Sequence, residues 1–267
     1  MIVIKNMPKT FKELKTFFPN VKEQEIVEWM TTHRKMYQFD NMKQLKFEVL
    51  FRLQTVAAAI ELLKSRAKFA TFEQSYCNER FWNLNNKGAF LLKSDVQPAD
   101  GIRDIFLNGS KYAFECATAI VIVFYKAALD SIGDEPFNYL FQDLVLYDWH
   151  YDKDLGIHTT SGNDFVPGDC LYFKNPDFNP ETPQWRGENT IFLGNNLHYG
   201  HGIGIRQAEG IIEALNRQRK EQANESAYLL NQVTRPNYKY LSGYQRTSQQ
   251  RGEASIRARV GQSFYTF

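Results

Sequence analysis

The sequence contains few cysteines and no long hydrophobic run. Its three cysteines, Cys77, Cys116 and Cys170, form no CxxC or CxxH pair, which argues against a disulfide scaffold and a zinc site and fits a reducing compartment. The longest apolar run, Ala117 to Tyr125, is well short of the roughly 20 residues that a membrane-spanning helix needs. The N-terminus has no uninterrupted apolar core with a cleavage site. We therefore expect a soluble cytoplasmic protein without membrane insertion.

An excess of charge of one sign is also missing. The 267 residues include 32 Lys and Arg against 30 Asp and Glu, a formal net charge of +2, so nucleic acid is not an expected partner. Hydrophobic residues make up 43% and charged residues 23%, the proportions of a globular protein. Only Arg246 to Arg259 is a basic stretch with weak periodicity. We interpret it as a solvated tail, with docking onto an acidic assembly as the alternative.

Helical patterns dominate the first hundred residues. Thr10 and Glu13 have the spacing of a capping box. From Asn41 to Ala67, apolar residues recur at mostly three- and four-residue intervals and predict a long core helix. A shorter helix is predicted from Gln97 to Gly109.

The next segment predicts an interior helix, and the pattern then changes to strands. From Tyr112 to Ile132 the sequence is apolar on nearly all sides and ends before Gly133, a residue typical of helix C-termini. A second amphipathic helix is predicted from Ala208 to Gln222. Strands near turn-forming residues are predicted at Leu144–Trp149, Asp169–Phe173, Thr190–Leu193 and His201–Ile205, with short edge strands at Tyr228–Leu230 and Lys239–Leu241. Helices followed by a run of strands indicate an α+β fold.

Cys116 lies near the start of the predicted interior helix. Free backbone N–H groups and the positive end of the helix dipole favour a thiolate there, which predicts a lowered pKa for this cysteine. A single cysteine is, however, more often a buried structural residue. Helix position therefore leaves both interpretations open, while Cys77 and Cys170 are interpreted as structural.

A thiolate nucleophile needs a base within hydrogen-bond distance. His201 begins the segment HGIGI, where small residues allow other backbone to approach closely. A lone histidine beside an apolar strand is more often structural than catalytic, and spacing does not select among the competing histidines, which are His33, His150, His158 and His198.

Three sequence motifs narrow the choice of candidate nucleophile and base. YAFECATA carries Cys116, PGDCLYF forms a turn that leads into a strand, and HYGHGIGI contains His201. A helix-borne cysteine after an acidic residue, a PGD strand and then a strand headed by histidine resemble the core of the NlpC/P60 papain-like cysteine hydrolases. The longer stretch NPETPQWRGENTIFLGNN is similar to bacterial spore transglutaminases, protein-glutamine γ-glutamyltransferases built on that core. This resemblance extends over most of the chain.

The resemblance implies a fold and a set of site residues. The fold is α+β, with a papain-like NlpC/P60-type core in which a central helix bearing the cysteine packs on an antiparallel sheet. From the length of the chain we expect residues 1–267 to form one domain, with a mainly helical region at 1–109, the catalytic core at 110–245 and a basic segment at 246–267. Cys116 is the nucleophile, His201 its base and Glu188 the acidic member of the site.

Other residues near these motifs are further candidates. Glu115 is an auxiliary acid, although adjacent helical residues point about 100° apart and need not share a face. For Glu188 the alternative is a turn residue on a solvated loop. Trp149, Tyr172 and Trp185 are predicted to wall a channel that excludes water, since an acyl-enzyme intended for an amine must survive hydrolysis. Simple core packing is the alternative for these aromatic residues.

The resemblance also implies an activity. It is that of a calcium-independent transglutaminase, in which a Cys116 thioester transfers a γ-glutamyl group to lysine and forms an ε-(γ-glutamyl)lysine crosslink. No metal or organic cofactor is expected. The expected partners are glutamine- and lysine-bearing spore coat proteins, met at the spore coat after synthesis in the mother-cell cytoplasm. The alternatives are an NlpC/P60-type peptidase or amidase acting on cell-wall peptides and a non-catalytic coat or scaffold protein.

Overall fold

The computed structural model describes residues 1–245 and the backbone of two strands at 257–260 and 263–266. The predicted tail at 246–267 therefore lies largely outside the described residues. Within the described part, the α-helices are α1 (Phe11–Leu14), α2 (Val21–Thr32), α3 (Met42–Ser65), α4 (Pro98–Leu107), α5 (Cys116–Ile132), α6 (Asp134–Leu140), α7 (Ala208–Asn216) and α8 (Tyr238–Leu241). None of these helices is long and apolar enough to span a membrane.

Helix starts in the N-terminal region follow from capping side chains. The backbone N–H of Glu13 donates to the Thr10 hydroxyl at 3.3 Å, and the Thr10 N–H donates to the Glu13 carboxylate at 2.8 Å. This reciprocal pair confirms the predicted capping box. Asn41 caps α3 by accepting from the backbone N–H of Gln44 at 3.0 Å.

Antiparallel pairing dominates the sheets. The main sheet has the strand order β13-β12-β11-β10-β15-β9, with β14 also paired to β10. A small sheet, β2-β1-β3, lies in the N-terminal region, and β4 pairs parallel with β7. The strands are β1 (Ile2–Ile4), β2 (Met7–Lys9), β3 (Tyr37–Phe39), β4 (Lys68–Phe69), β5 (Trp82–Leu84), β6 (Phe90–Leu92), β7 (Ala113–Phe114), β8 (Val145–Leu146), β9 (His158–Ser161), β10 (Cys170–Lys174), β11 (Gly187–Gly194), β12 (Leu197–Gly200), β13 (Gly204–Gln207), β14 (Tyr228–Leu229), β15 (Gln232–Arg235), β16 (Arg257–Val260) and β17 (Ser263–Thr266).

Helix α5 is the centre of the core. All of its residues except Lys126 and Asp130 are buried, and those two form an ion pair with each other. The helix packs against α3 on one side and against β11 of the main sheet on another. A cysteine-bearing central helix packed on an antiparallel sheet confirms the predicted α+β class.

A buried ionic cluster joins α3 to the sheet through the PGD motif. The Asp169 carboxylate accepts from Arg52 at 2.6 Å and from Arg235 at 2.7 Å, and it also accepts the Val166 backbone N–H at 2.8 Å. Gly168 has φ +90°, and a Cβ there would lie 2.9 Å from the Arg52 Cα. The motif therefore turns the chain against α3 and anchors the start of β10.

Several predicted elements are wrong or shorter in the structure. The strand predicted at His201–Ile205 starts too early, because His201 lies in the turn before β13, where Gly202 and Gly204 adopt positive φ, and β13 begins at Gly204. The edge strand predicted at Lys239–Leu241 is instead α8, which Asn237 caps by accepting from the Tyr240 N–H. Helix α7 ends at Asn216 rather than Gln222. The strand predicted at Leu144–Trp149 is only Val145–Leu146.

Candidate active site

Cys116 is the first residue of α5. The predicted helix begins too early, because Ala113 and Phe114 form β7 and pair with Lys68 and Phe69 of β4. Glu115 has extended backbone and is the N-cap, with its carboxylate accepting the Ala117 N–H at 2.8 Å. The sulfur is therefore held where the chain changes from strand to helix.

The Cys116 thiol has two polar side-chain partners. Its Sγ donates to Glu115 Oε1 at 3.2 Å, so these adjacent residues do meet. The Asn189 side-chain amide donates to Sγ at 3.8 Å. Asn189 was not among the predicted site residues, because the strand was predicted to begin only at Thr190. The signal that could have identified Asn189 is its position next to Glu188 in the motif RGEN.

The pKa of the Cys116 thiol is raised, not lowered. Burial has the largest effect, and the charges of Glu188 and Glu115 add to it. The helix dipole acts in the opposite direction, but the predicted lowering is wrong for this environment. The resting thiol therefore keeps its proton at neutral pH and needs a neighbouring base in order to react.

Glu188 is enclosed rather than solvated. It is 2% exposed and lies in β11 opposite Phe173, which corrects the alternative of a loop residue. Burial and then the charge of Glu115 raise the pKa of its carboxyl, while the backbone N–H of His201 opposes the shift. Its Oε1 has no hydrogen-bond partner in the described part of the chain. A buried carboxyl with a raised pKa thus lies near the thiol.

The ring of His201 is buried and makes hydrogen bonds to other groups. A carbonyl can only accept, so Nε2 donates to the Lys68 oxygen at 3.1 Å and Nδ1 accepts from the Tyr199 hydroxyl at 3.1 Å. The ring stacks on Phe114 with centroids 4.7 Å apart. Burial lowers the pKa of His201 to about 4. Within the described residues, neither ring nitrogen contacts Cys116.

An open cavity of about 570 Å³ leads to the thiol. Cys116, Glu115 and Asn189 line it together with Trp149 and Tyr172. The structure thus brings two of the three predicted channel aromatics to the cavity. Trp185 does not line the cavity.

Two predicted site residues and an aromatic pair lie beside the cavity rather than in its wall. Glu188 and His201 are buried at the edge of the site. Trp185 stacks on Phe69 at 6.2 Å between ring centroids, and Phe69 lies 6.4 Å from the His201 ring. These side chains therefore form a second layer next to the thiol.

Metal ligands do not converge in the part of the chain that the structure describes. No group of three or more His, Cys, Asp or Glu side chains is close enough together there to hold a metal ion. The polar groups around Cys116 are instead a thiol, two carboxyls and an amide, which can move protons and stabilise an oxyanion.

The chain is similar to known proteins over most of its length. A family model described as protein-glutamine gamma-glutamyltransferase matches residues 1–245. The protein of that name from Bacillus licheniformis is 53% identical over 80% of this chain and 86% of its own length. The one from Bacillus pumilus is 47% identical over 90% of this chain and 98% of its own. A solved transglutaminase from Geobacillus stearothermophilus, without its C-terminal extension, matches with a TM-score of 0.75 and 59% identity, covering 78% of this chain and 100% of that one.

Proposed function

The chain belongs to the protein-glutamine gamma-glutamyltransferase family, and we propose that Cys116 is the nucleophile that carries the γ-glutamyl group between its protein substrates. The protein is an acyltransferase, and its family implies protein substrates that bear glutamine and lysine. The observation that carries the proposal is the position of Cys116, at the start of α5 and in the wall of the cavity.

The first half-reaction forms the thioester. Glu115 Oε1, 3.2 Å from Sγ, takes the thiol proton as sulfur attacks the side-chain carboxamide carbon of a substrate glutamine. The carbon–sulfur bond forms and the carbon–nitrogen bond breaks, so the nitrogen must gain a proton to leave as ammonia. Glu188, whose carboxyl has a raised pKa, supplies that proton.

Asn189 stabilises the oxyanion of this step. Its amide nitrogen is 3.8 Å from Sγ, within reach of an oxygen on the carbon that becomes bonded to the sulfur, because such donors stand about 2.7–3.1 Å from the oxyanion. The backbone N–H of Cys116, in the first turn of α5, is a second donor. Both donors are fixed before substrate binds.

The second half-reaction transfers the acyl group to lysine. The ε-amine attacks the thioester carbonyl, the carbon–nitrogen bond forms, and the carbon–sulfur bond breaks as the sulfur takes back the proton held by Glu115, which returns the thiol. The product is an ε-(γ-glutamyl)lysine crosslink. Trp149 and Tyr172 line the cavity beside Cys116 and limit the access of water that would hydrolyse the thioester.

His201 contacts Glu188 and supports the site indirectly. Its backbone N–H favours the charged form of the Glu188 carboxyl, and its ring stacks on Phe114 and lies 6.4 Å from the ring of Phe69. The role that fits these contacts is to position Glu188 and hold the neighbouring aromatic residues, instead of taking the thiol proton directly.

The proposal also includes calcium independence, the identity of the substrates, and the extent and type of the catalytic core. The reaction proceeds without calcium, which is supported by the scarcity of converging carboxylates in the described part. The substrates are spore coat proteins, reached after synthesis in the mother cell, and residues 110–245 are the catalytic core. That this core is of the papain-like NlpC/P60 type is supported by the order of the three motifs.

One experiment tests the function. Purified protein is incubated with a glutamine-donor protein and a fluorescent primary amine, with and without a chelator, and the matched variants are Cys116→Ala and Cys77→Ala. We expect amine incorporation by the wild type and by Cys77→Ala, unaffected by the chelator, and none by Cys116→Ala. Full incorporation by Cys116→Ala contradicts the assignment, and loss of incorporation on chelation contradicts calcium independence.

A further inference from the structure

Asp148 lines the cavity that contains Cys116. It lies in the turn after β8, where Tyr147 and His150 form an isolated bridge. Its backbone N–H donates to the Thr118 hydroxyl at 2.9 Å. Because Thr118 belongs to the first turn of α5, this bond fixes the Asp148 turn relative to the thiol.

The Asp148 carboxylate has no partner among the described residues. The other acidic side chain that lines the cavity, Glu115, accepts from Ala117 and from the Cys116 thiol. In the part of the chain that the structure describes, the side chain of Asp148 makes neither a hydrogen bond nor an ion pair, although the residue is half-buried. The one basic side chain in the wall, Arg186, likewise forms no ion pair in the described part.

A half-buried acidic residue that lines a cavity is available to an entering cation, and salt screens a partly buried ion pair less than an exposed one. A lysine ε-amine arrives as an ammonium ion, since its ordinary pKa is about 10.4. We propose that Asp148 binds the ε-ammonium of the acceptor lysine as it enters the cavity and so determines the preference for cationic amine acceptors. This inference rests on the proposed function of Cys116.

The proton balance of the transfer step fits this role. Asp148 holds the ammonium outside bonding distance of the thioester, and the nitrogen must lose one proton before its lone pair can attack. After thioester formation Glu115 holds the thiol proton and Glu188 has lost its own, so the proton from the ammonium goes to the Glu188 carboxylate. The departing sulfur takes back the proton held by Glu115 as the carbon–sulfur bond breaks, and the second proton of the nitrogen is released to solvent as the amide forms. Asp148 is therefore a binding residue and is not consumed or changed in the cycle.

The test compares a cationic acceptor with an uncharged one. Amine incorporation is measured with Nα-acetyl-lysine N-methylamide and with hydroxylamine, which is neutral at neutral pH, for the wild type and for Asp148→Asn. We expect the KM for the lysine acceptor to rise about fivefold, as for a partly solvated ion pair, with the KM for hydroxylamine unchanged. Asp148→Glu restores the lysine KM in part.

Two further variants act as charge controls. Asp143→Asn removes an exposed carboxylate outside the cavity and leaves both KM values unchanged. Arg186→Gln removes the positive charge from the cavity wall, so it does not raise the KM for the lysine acceptor. In the wild type, the lysine KM rises with ionic strength, because salt screens the ion pair, and this measurement needs no variant.

The outcomes of these kinetic experiments distinguish the role of Asp148 from the proposed function of Cys116. Equal increases in both KM values, an unchanged lysine KM in folded Asp148→Asn, or a wild-type lysine KM independent of salt overturns the role of Asp148. Absence of incorporation with both acceptors in the wild type instead contradicts the proposed function.

Discussion

The Sγ of Cys116 lies 3.2 Å from Oε1 of Glu115, the residue that precedes it and caps its helix. The two oxygens of this carboxylate are divided between the helix and the thiol, since Oε2 accepts the Ala117 N–H. The bond that starts α5 therefore also orients the proton acceptor toward the sulfur.

Glu188→Gln is expected to change alkylation and turnover in opposite directions. The charge of Glu188 helps to raise the pKa of the Cys116 thiol, and this charge is present only once the Glu188 carboxyl has lost its proton, so the variant speeds modification by iodoacetamide in alkaline solution. The same change removes the proton donor for ammonia, and kcat falls about a hundredfold. Glu221→Gln, at an exposed glutamate, changes neither rate. Slower alkylation of Glu188→Gln would contradict the electrostatic assignment.

Asn189→Ala is expected to lower kcat by about a hundredfold and leave the KM for the glutamine donor nearly unchanged, because an oxyanion donor acts mainly in the transition state. Steady-state kinetics with a donor peptide measures both constants. Asn83→Ala, at an exposed asparagine of β5, is the control. An increase in KM alone would show that Asn189 binds the ground state instead.

His201→Gln is expected to reduce turnover without changing the shape of the pH profile. Because burial lowers the pKa of this imidazole from 6.5 to about 4, it stays neutral through the range in which an ordinary histidine titrates. The pH dependence of kcat/KM, measured for both proteins, checks this. A limb near pH 6.5 in the wild type that disappears in the variant supports a proton-transferring histidine and contradicts a positioning role.

Asp169→Asn is expected to lower the free energy of unfolding by about 3–5 kcal/mol at neutral pH, because it leaves Arg52 and Arg235 without their shared partner. Burial alone would raise the pKa of Asp169, but the two arginines overcome it and lower the pKa below 3.8. The stabilisation is therefore present above pH 3.8 and is lost as pH falls through the lower, folded-state value.

Urea unfolding of both proteins across this acid range measures the effect. The difference between the wild type and Asp169→Asn should be constant at neutral pH and shrink in acid. A difference that does not depend on pH would show that the ion pairs are not its source.

Periodicity predicted the helices that form the core. The long apolar pattern predicted α3 and α5 with their C-terminal ends within two residues of those observed. The start of α5 was placed too early because Ala113 and Phe114 are apolar and fit a helix, but they pair instead with β4. The local sequence pattern cannot predict this strand pairing, because the two strands are far apart in the sequence.

The site was predictable in its residue types but not in its electrostatics. Motif resemblance selected Cys116, Glu115 and Glu188, which the structure places close to one another. The raised pKa of Cys116 comes from burial and from two carboxyls, one of them on a distant strand, and no local spacing shows it. His201 was predicted at the start of a strand, whereas two glycines with positive φ turn the chain there.

The most direct test of the account is intact mass measurement of the protein mixed with a glutamine-donor peptide in the absence of amine. The account predicts an adduct of the peptide minus ammonia, located on Cys116 by fragmentation, released by hydroxylamine and absent from Cys116→Ala. Crosslinking by an enzyme whose adduct lies on another residue, or by Cys116→Ala itself, would contradict it.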